Sequence, residues 1–138
     1  MSGLPGVNFP GLGTGLAILR DGKLLLYRRT RPPEADHWNI VGGKIDHLEQ
    51  SAIAAVREAE EESGLKIGEI SFLCVSEQIF AEEGQHWVSI MYLTTDFIGE
   101  PQVMEPEKLP EFGWFDLENL PKPLSRFVAD AVEHLRLS

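Results

Sequence analysis

Three glutamates near the middle of the chain have a spacing that suits the binding of a metal ion. Glu58, Glu61 and Glu62 share one face of a predicted helix, because successive residues lie about 100° apart around a helix axis. Like charges at these spacings destabilise a helix by ~0.2–0.5 kcal/mol per pair, so another interaction must offset the repulsion. The cluster is therefore either a solvated acidic face or a site for a hard cation such as Mg²⁺, which binds carboxylate oxygens together with waters and phosphates.

A longer pattern of spaced residues surrounds these glutamates. It consists of Gly43, five residues, Glu49, seven residues, Arg57-Glu58, the aliphatic Ala59, any residue, Glu61-Glu62, any residue, Gly64 and the aliphatic Leu65. Seven such fixed positions coincide by chance about once in a million chains of this length, given typical residue frequencies of ~5–7%. The pattern resembles the Nudix box at every fixed position, and this resemblance favours the metal site over the solvated face.

The resemblance implies specific roles for the residues of the box. Glu58, Glu61 and Glu62 would hold Mg²⁺ or Mn²⁺, with the backbone carbonyl of Gly42 as a further ligand. Arg57 would orient the catalytic glutamate; the alternative is an ordinary surface ion pair with Glu61, four residues further on. Glu58 is the first choice for the base that deprotonates the attacking water, and Glu61 is the second.

Three more box residues are expected to shape the helix and the chain before it. Gly43 follows Gly42 in a predicted tight turn into the helix, and Gly64 is a good helix terminator. Glu49 is expected to open the helix, where its carboxylate could serve the exposed amides of the first turn. Whether Glu49 acts as such a cap or within the site stays open at this point.

A loop glutamate after the box is expected to complete the metal site. The segment 105–116 is similar to the corresponding stretch of the MutT-like nucleoside-triphosphate pyrophosphohydrolases. In that branch a loop glutamate binds the metal, and Glu107 is the residue that lines up with it. Glu111 is the alternative, and both could also be plain loop acids.

Substrate contacts are expected from two basic residues. Arg29 matches the place of a family arginine that reaches the phosphates of the nucleotide, although it could equally be a solvated strand end. Lys44, next to the paired glycines, is a second candidate. Phe80, Trp87 and Trp114 could stack on a base, but aromatic residues on strands more often belong to the core.

The hydrophobic and turn patterns predict an α/β fold that can position these residues. Strands are predicted at 15–20, 23–28, 70–80, 86–97 and 113–115, a loop at 30–37, and helices at 49–63 and from residue 124 onward. Asp21-Gly22 suits a hairpin turn. The first helix is expected to bury a face of small apolar residues, Ala52, Ala55, Val56 and Ala59. The resemblance implies an α/β/α sandwich with a mixed sheet between the helices, in one domain over residues 1–138.

Composition narrows the classes of partner. The chain has 138 residues with 22 acidic and 12 basic side chains, a formal net charge of −10. Such a charge repels nucleic acid polymers and anionic membrane surfaces, so neither is expected to bind non-specifically. A single cysteine, Cys74, cannot form an internal disulfide and fits a cytoplasmic location. The family resemblance adds a homodimer as a further expectation.

Together these features predict the Mg²⁺-dependent hydrolysis of a nucleoside triphosphate to the monophosphate and pyrophosphate. Hydrolysis of a nucleotide sugar or an ADP-ribose-like compound is an alternative within the same class. A non-catalytic nucleotide-sensing module is an alternative of a different class, against which the intact glutamates weigh. Two departures from the family pattern, Val41 in place of a proline and residues 46–48 in place of a glycine, point to a different loop shape.

Overall fold

The computed structural model describes residues 3–137 and contains nine strands and two α-helices in that range. The elements are β1 (Gly11–Arg20), β2 (Lys23–Arg28), β3 (Trp38–Asn39), β4 (Val41–Lys44), α1 (Ser51–Ser63), β5 (Lys66–Ile67), β6 (Ser71–Phe80), β7 (Gln85–Thr94), β8 (Phe97–Ile98), β9 (Phe112–Asp116) and α2 (Arg126–Leu137). Within this range neither helix combines the length and the apolar character needed to cross a bilayer.

A seven-stranded mixed sheet forms the middle layer. Its strand order is β3-β2-β1-β7-β6, and β4 and β9 add to it by pairing with β1 and β2. β1 and β7 run parallel, whereas the other neighbouring strands run antiparallel. β5 and β8 form a separate two-stranded sheet.

The two faces of the sheet bury two different cores. In β1, Leu16 and Ile18 pack into the cluster that contains Ala59 of α1, whereas Ala17 packs into the cluster that contains Val128 of α2. This alternation follows from the period of two of a strand, whose successive side chains point to opposite faces. One helix therefore covers each face, which confirms the predicted α/β/α sandwich.

The hairpin and the C-terminal helix agree with the sequence patterns. Asp21 and Gly22 have φ values of 54° and 76°, the left-handed conformation that a two-residue hairpin turn requires. α2 starts two residues later than predicted, after Ser125, whose hydroxyl accepts a hydrogen bond from the amide of Phe127 at 3.2 Å. Its predicted apolar residues are all buried: Phe127, Val128, Ala131, Val132 and Leu135.

The prediction of a tight turn at Gly42-Gly43 is wrong. Both glycines lie in β4, where Gly42 pairs with Gly15 and Gly43 pairs with Thr14 of β1. A side chain at Gly42 would overlap the carbonyl oxygen of Thr14, so glycine allows the two strands to approach closely. A loop over residues 45–50 then leads to α1, which begins at Ser51 rather than at Glu49.

Other boundaries also differ from the sequence expectations. β1 begins at Gly11, four residues before the predicted start. The predicted strand 86–97 ends at Thr94. The Thr94 hydroxyl donates to the carbonyl of Glu69, and the carbonyl of Asp96 accepts from the amide of Gly68, so the chain turns toward β8. In α1 the residues buried most completely include Ala54, Ala55 and Ala59, whereas the predicted Ala52 and Val56 are half-buried.

Candidate active site

Two glutamates of α1 lie against the backbone of β4. The amide of Gly42 donates a hydrogen bond to Oε1 of Glu62 at 2.7 Å. A side chain at Gly43 would overlap the carboxylate of Glu58, so this glycine leaves the space that Glu58 occupies. Glu62 is only 8% exposed, whereas Glu61 on the same helix face is exposed. Gly43 thus allows the Glu58 carboxylate to lie against the main chain, and the Gly42 amide binds the carboxylate of Glu62.

Burial of negative charge changes the acidity of this cluster. Burial raises the pKa of Glu62 to about 8, the Gly42 hydrogen bond opposes the rise, and the nearby Glu58 and Glu105 add to it. Burial also raises the pKa of Glu58, against the lowering effect of Arg57. A divalent cation bound beside these carboxylates would favour their charged form.

Arg57 connects the helix to the segment before it. Its Nε and Nη2 donate to the two carboxylate oxygens of Glu49 at 2.8 and 3.0 Å, a bidentate pair. Its Nη1 donates to Oε1 of Glu58 at 2.9 Å and lies 3.4 Å from both carboxylate oxygens of Glu61. The surface pair with Glu61 is therefore the longest of these contacts, and Arg57 mainly bridges Glu49 and Glu58.

The expected opening of the helix by Glu49 is wrong. The N-cap of α1 is Gln50, and Gln50 caps the helix without a side-chain hydrogen bond. Glu49 instead accepts hydrogen bonds from Arg57 and from the amide of Asp46 at 3.1 Å. The Arg57 hydrogen bond lowers the pKa of Glu49 to about 2, and it raises the pKa of Arg57. Gly64 ends the helix as predicted, with a left-handed φ of 75°.

The expected metal ligands are neighbours but do not converge into a ready cage. Among residues 3–137 no three acidic, histidine or cysteine side chains are arranged to hold an ion together. Two of these carboxylates already have partners, because Nη1 of Arg57 donates to Oε1 of Glu58 and the Gly42 amide donates to Oε1 of Glu62. The donor set itself, carboxylates beside a main-chain strand, fits a hard cation such as Mg²⁺ or Mn²⁺.

Glu105, which the sequence reasoning missed, is the loop acid whose charge reaches this cluster. It contributes to the raised pKa of Glu62, and its Oε1 is buried without a hydrogen-bond partner in the described part of the chain. Its Oε2 lies 3.9 Å from Nζ of Lys108.

The two loop acids that the sequence predicted have other surroundings. Glu107 is exposed, and its backbone carbonyl accepts a hydrogen bond from the Thr30 hydroxyl. Glu111 forms an ion pair with Arg28. Spacing alone could not distinguish these loop acids.

A cleft of about 600 Å³ opens beside the cluster. Glu58 and Glu62 line it together with Arg29, Lys44 and Lys108, so acids and bases face the same space. Apolar side chains line other parts of its wall, including Trp87, Met91, Phe127 and Leu109. The volume lies within the range of ~300–1,000 Å³ that small-molecule sites have. A polyphosphate with an attached apolar or aromatic group matches such a lining.

The two expected substrate-binding residues, Arg29 and Lys44, both line the cleft but have different neighbours. Arg29 lies in the cleft, where Nε donates to the carbonyl of Pro33 and Nη2 to that of Arg31, both at 3.1 Å. Burial lowers the pKa of this guanidinium, while Glu62 and other nearby acids oppose the change. The ammonium of Lys44 lies 5.8 Å from the ring centre of Trp87.

Of the aromatic residues considered for base stacking, Trp87 lines the cleft. Phe80 is buried with its ring centre 5.9 Å from that of Phe127 in the core under α2. Trp114 stacks on Phe97 at 6.0 Å and is covered by the guanidinium of Arg20. Both are therefore occupied in packing, as aromatic residues on strands commonly are.

Comparison with known proteins identifies the family. A family model described as the NUDIX domain matches residues 10–135. The chain belongs to the Nudix family. Its fold is close to that of a crystal structure of MutT NUDIX hydrolase from Burkholderia pseudomallei, with a TM-score of 0.88, 45% identity, and coverage of 91% of this chain and 97% of that one.

Two curated Nudix relatives differ in the activity that their names state. ADP-ribose pyrophosphatase of Methanocaldococcus jannaschii is 33% identical over 113 residues, which cover 82% of this chain and 66% of the relative. Oxidized purine nucleoside triphosphate hydrolase of Danio rerio is 32% identical over 125 residues, covering 86% and 73%. The matched part of the chain therefore spans slightly less than two thirds of the length of the archaeal relative and nearly three quarters of the length of the fish relative.

These similarities make the chain a MutT-like Nudix hydrolase. Its enzyme class is that of hydrolases acting on acid anhydride bonds in phosphorus-containing substrates. Nudix hydrolases act on the pyrophosphate bonds of nucleotide derivatives and generally use divalent metal ions. The acidic cluster and the cleft beside it lie where the box residues of this family meet the sheet.

Proposed function

We propose that this Nudix hydrolase cleaves a pyrophosphate bond of a nucleoside triphosphate in the presence of Mg²⁺ or Mn²⁺. Water is consumed, and a nucleoside monophosphate and pyrophosphate are released. The observation that carries this proposal is the position of Glu58 and Glu62 on the wall of a cleft that also holds Arg29, Lys44 and Lys108. Carboxylates that can hold a metal ion and positively charged side chains that can hold phosphates line the same cleft.

The residues that would hold the cation are the acids around β4. Glu58, Glu61 and Glu62 supply carboxylates, the carbonyl of Gly42 is a further candidate, and Glu105 offers an oxygen that has no hydrogen-bond partner in the described part of the chain. We place Glu105 ahead of Glu107 because Glu105 contributes to the pKa of Glu62 and Glu107 is exposed. A bound divalent cation would neutralise phosphate charge and lower the pKa of a coordinated water.

Glu58 is the residue we assign as the base, and Glu61 remains the second choice. Arg57 holds Oε1 of Glu58 at 2.9 Å, which fixes the direction of the carboxylate. Burial raises the pKa of Glu58 above its ordinary value, and a carboxylate with a higher pKa is a stronger base. In this assignment the proton of the attacking water moves to Glu58, while Arg57 keeps the side chain in place.

The basic residues of the cleft would bind the phosphates. Carbonyls of the 31–33 segment occupy Nε and Nη2 of Arg29, so the described contacts leave Nη1 to donate to a phosphate oxygen. Lys44 and Lys108 line the same cleft and add positive charge. Trp87 lines the cleft as well, with its ring packed against Gly6 and Gly11, and is the aromatic residue we assign to contact the nucleoside.

The relatives support a nucleotide substrate and leave two substrate classes to compare. The fish relative is named for nucleoside triphosphates, which favours the triphosphate proposal, whereas the archaeal relative is named for ADP-ribose. An ADP-ribose-like compound or nucleotide sugar is therefore the second candidate. The sensing module is the candidate of another class, and binding without turnover distinguishes it.

A substrate screen tests the proposal. Common and oxidised nucleoside triphosphates, ADP-ribose, nucleotide sugars and dinucleoside polyphosphates are incubated with the full chain and Mg²⁺, and pyrophosphate, phosphate and monophosphate are measured separately. We expect release of pyrophosphate from one or more triphosphates. Turnover of ADP-ribose or nucleotide sugars alone would support the second candidate, and tight binding of a nucleotide with no turnover would support the sensor.

A further inference from the structure

Glu34 is a buried acid in the 30–37 loop to which the proposed reaction assigns no role. Only 8% of it is exposed, although the loop around it is mostly at the surface. Its carboxylate accepts a hydrogen bond from the hydroxyl of Ser125 at 2.7 Å and one from the amide of Arg126 at 3.1 Å. Its φ of 59° is left-handed, a conformation that persists in a glutamate only where the surroundings hold it.

Glu34 and Ser125 share the capping of α2, because the Glu34 carboxylate binds the amide of Arg126 and Ser125 binds the amides that follow it. The hydroxyl of Ser125 accepts from the Phe127 amide at 3.2 Å, and its carbonyl accepts from the Val128 amide at 3.1 Å. The Glu34 carboxylate adds a link between this helix start and a loop that is 91 residues away in sequence. The amide of Glu34 donates to Oε2 of Glu83 at 3.2 Å, a second link from the loop to the rest of the fold.

The segment that Glu34 anchors also holds the guanidinium of Arg29. The carbonyls of Arg31, Pro32 and Pro33 accept hydrogen bonds from Arg29 at 3.1, 3.4 and 3.1 Å, and Glu34 is the next residue in the chain. The two ends of the loop are joined at the same arginine, because the backbone amide of Arg29 donates to the carbonyl of His37 at 2.8 Å. A shift of this loop would therefore move the acceptors that set the direction of Arg29.

We propose that Glu34 is a positioning residue for phosphate binding: by tying the 31–36 loop to the start of α2, it directs Nη1 of Arg29 into the cleft. The inference rests on the proposed function insofar as Arg29 meets the phosphates of a nucleotide. An arginine has many rotamers, and ordering it before the ligand arrives removes part of the entropic cost of binding. Pro33 and Glu34 also line the cleft, so the anchored loop forms part of its wall.

Binding measured in two backgrounds tests this role. The probe is the uncleavable α,β-methylene analogue of dGTP with Mg²⁺, titrated calorimetrically into the full chain. We expect Glu34→Ala to weaken binding about tenfold, and Arg29→Ala to weaken it at least as much. In the Arg29→Ala background, adding Glu34→Ala should change the affinity less than twofold, because the arginine through which Glu34 acts is gone. Glu34→Gln, which keeps an accepting oxygen, should lose less than Glu34→Ala and covers the case in which the alanine variant folds poorly.

A purely structural role gives a different pattern. If Glu34 only caps α2, its removal lowers the melting temperature but changes affinity equally in both backgrounds or in neither, and either result overturns the proposal. Glu118→Ala, at an exposed acid that pairs with Arg136, is the control and should leave affinity unchanged.

Titration of inorganic pyrophosphate with Mg²⁺ separates this inference from the proposed function. A Glu34 effect that depends on Arg29 and is seen with pyrophosphate, when neither the dGTP analogue nor any other triphosphate of the screen binds, would support the positioning role and contradict the nucleotide substrate. Failure of both probes to bind the unmodified chain would overturn both claims.

Discussion

The amide of Gly42 donates a 2.7 Å hydrogen bond to the buried carboxylate of Glu62, and this bond joins the central sheet to α1. The contact places an acid of the Nudix box against main chain, where water has little access. The bond compensates only part of the cost of removing the charge from water, since the pKa of Glu62 is still raised to about 8. The site is therefore built at the expense of stability when no cation is present.

The first prediction concerns stability against pH in the metal-free protein. The folded chain binds the Glu62 proton more tightly than the unfolded chain, because the pKa rises on folding from 4.5 to about 8. The free energy of unfolding should thus be highest below pH ~4.5 as far as Glu62 is concerned, and should fall as the pH rises toward 8, by at most about 5 kcal/mol at ~1.4 kcal/mol per pKa unit. Urea unfolding in EDTA at several pH values measures it.

A matched pair of variants isolates the contribution of Glu62. Glu62→Gln should flatten the fall between pH 5 and 8, whereas Glu133→Gln, at an exposed glutamate of α2, should follow the unmodified chain. An equal slope in all three proteins would show that the Glu62 carboxyl is not protonated more easily in the folded state.

The second prediction concerns the space that Gly43 leaves for Glu58. Gly43→Ala would put a methyl group where the Glu58 carboxylate lies, and we expect a loss of about 1–3 kcal/mol in the free energy of unfolding. In a Glu58→Ala background the obstruction is absent, so the same glycine substitution should cost less than about 0.5 kcal/mol. A cycle of four proteins unfolded in urea gives both numbers. Equal costs in both backgrounds would mean that Glu58 does not occupy this space.

The third prediction concerns Arg57. Lysine keeps the charge but cannot bond Glu49 in a bidentate manner while also holding Glu58, so Arg57→Lys should lower kcat ~10–100-fold with a smaller effect on KM. Arg136→Lys, at an exposed arginine paired with Glu118, is the control for the loss of an arginine. Steady-state kinetics on the triphosphate selected by the screen provide the comparison, and an unchanged kcat would remove Arg57 from the positioning of Glu58.

The fourth prediction distinguishes the loop acids. Glu105→Gln should weaken Mg²⁺ binding ~10–100-fold, because the carboxylate that contributes to the pKa of Glu62 loses its charge. Glu107→Gln, two residues away and exposed, should change Mg²⁺ binding less than twofold. Isothermal titration with Mg²⁺ compares them under one set of conditions. The reverse order would restore Glu107 as the loop ligand that the sequence predicted.

Short-range patterns made much of the fold predictable. Asp21-Gly22 dictates a turn by its own backbone preferences, and the apolar residues of α2 repeat at the helical period. Gly42 and Gly43 were misplaced, because their role depends on β1, a strand distant in sequence whose close approach no local preference reveals. The pairing of β4 with β1 places these two glycines in a strand, although their local preferences favour a turn.

The candidate site shows the same division. The acids of the box share a helix face by spacing, so Glu58, Glu61 and Glu62 could be named from the sequence. Glu105 could not be preferred to Glu107, because its selection depends on the path of a loop that has no period. The role inferred for Glu34 arises from a contact with Ser125 across 91 residues, which no local pattern encodes.

The central claim is that the acids of α1 hold the cation on which hydrolysis depends, and turnover by Glu61→Gln tests it most directly. Glu61 is exposed and its contacts to Arg57 are long, so its substitution should leave the fold intact. With the triphosphate selected by the screen and saturating Mg²⁺, we predict that kcat/KM falls at least 100-fold in Glu61→Gln and is unchanged in Glu133→Gln. Turnover by Glu61→Gln at a tenth of the unmodified rate or better would contradict the account.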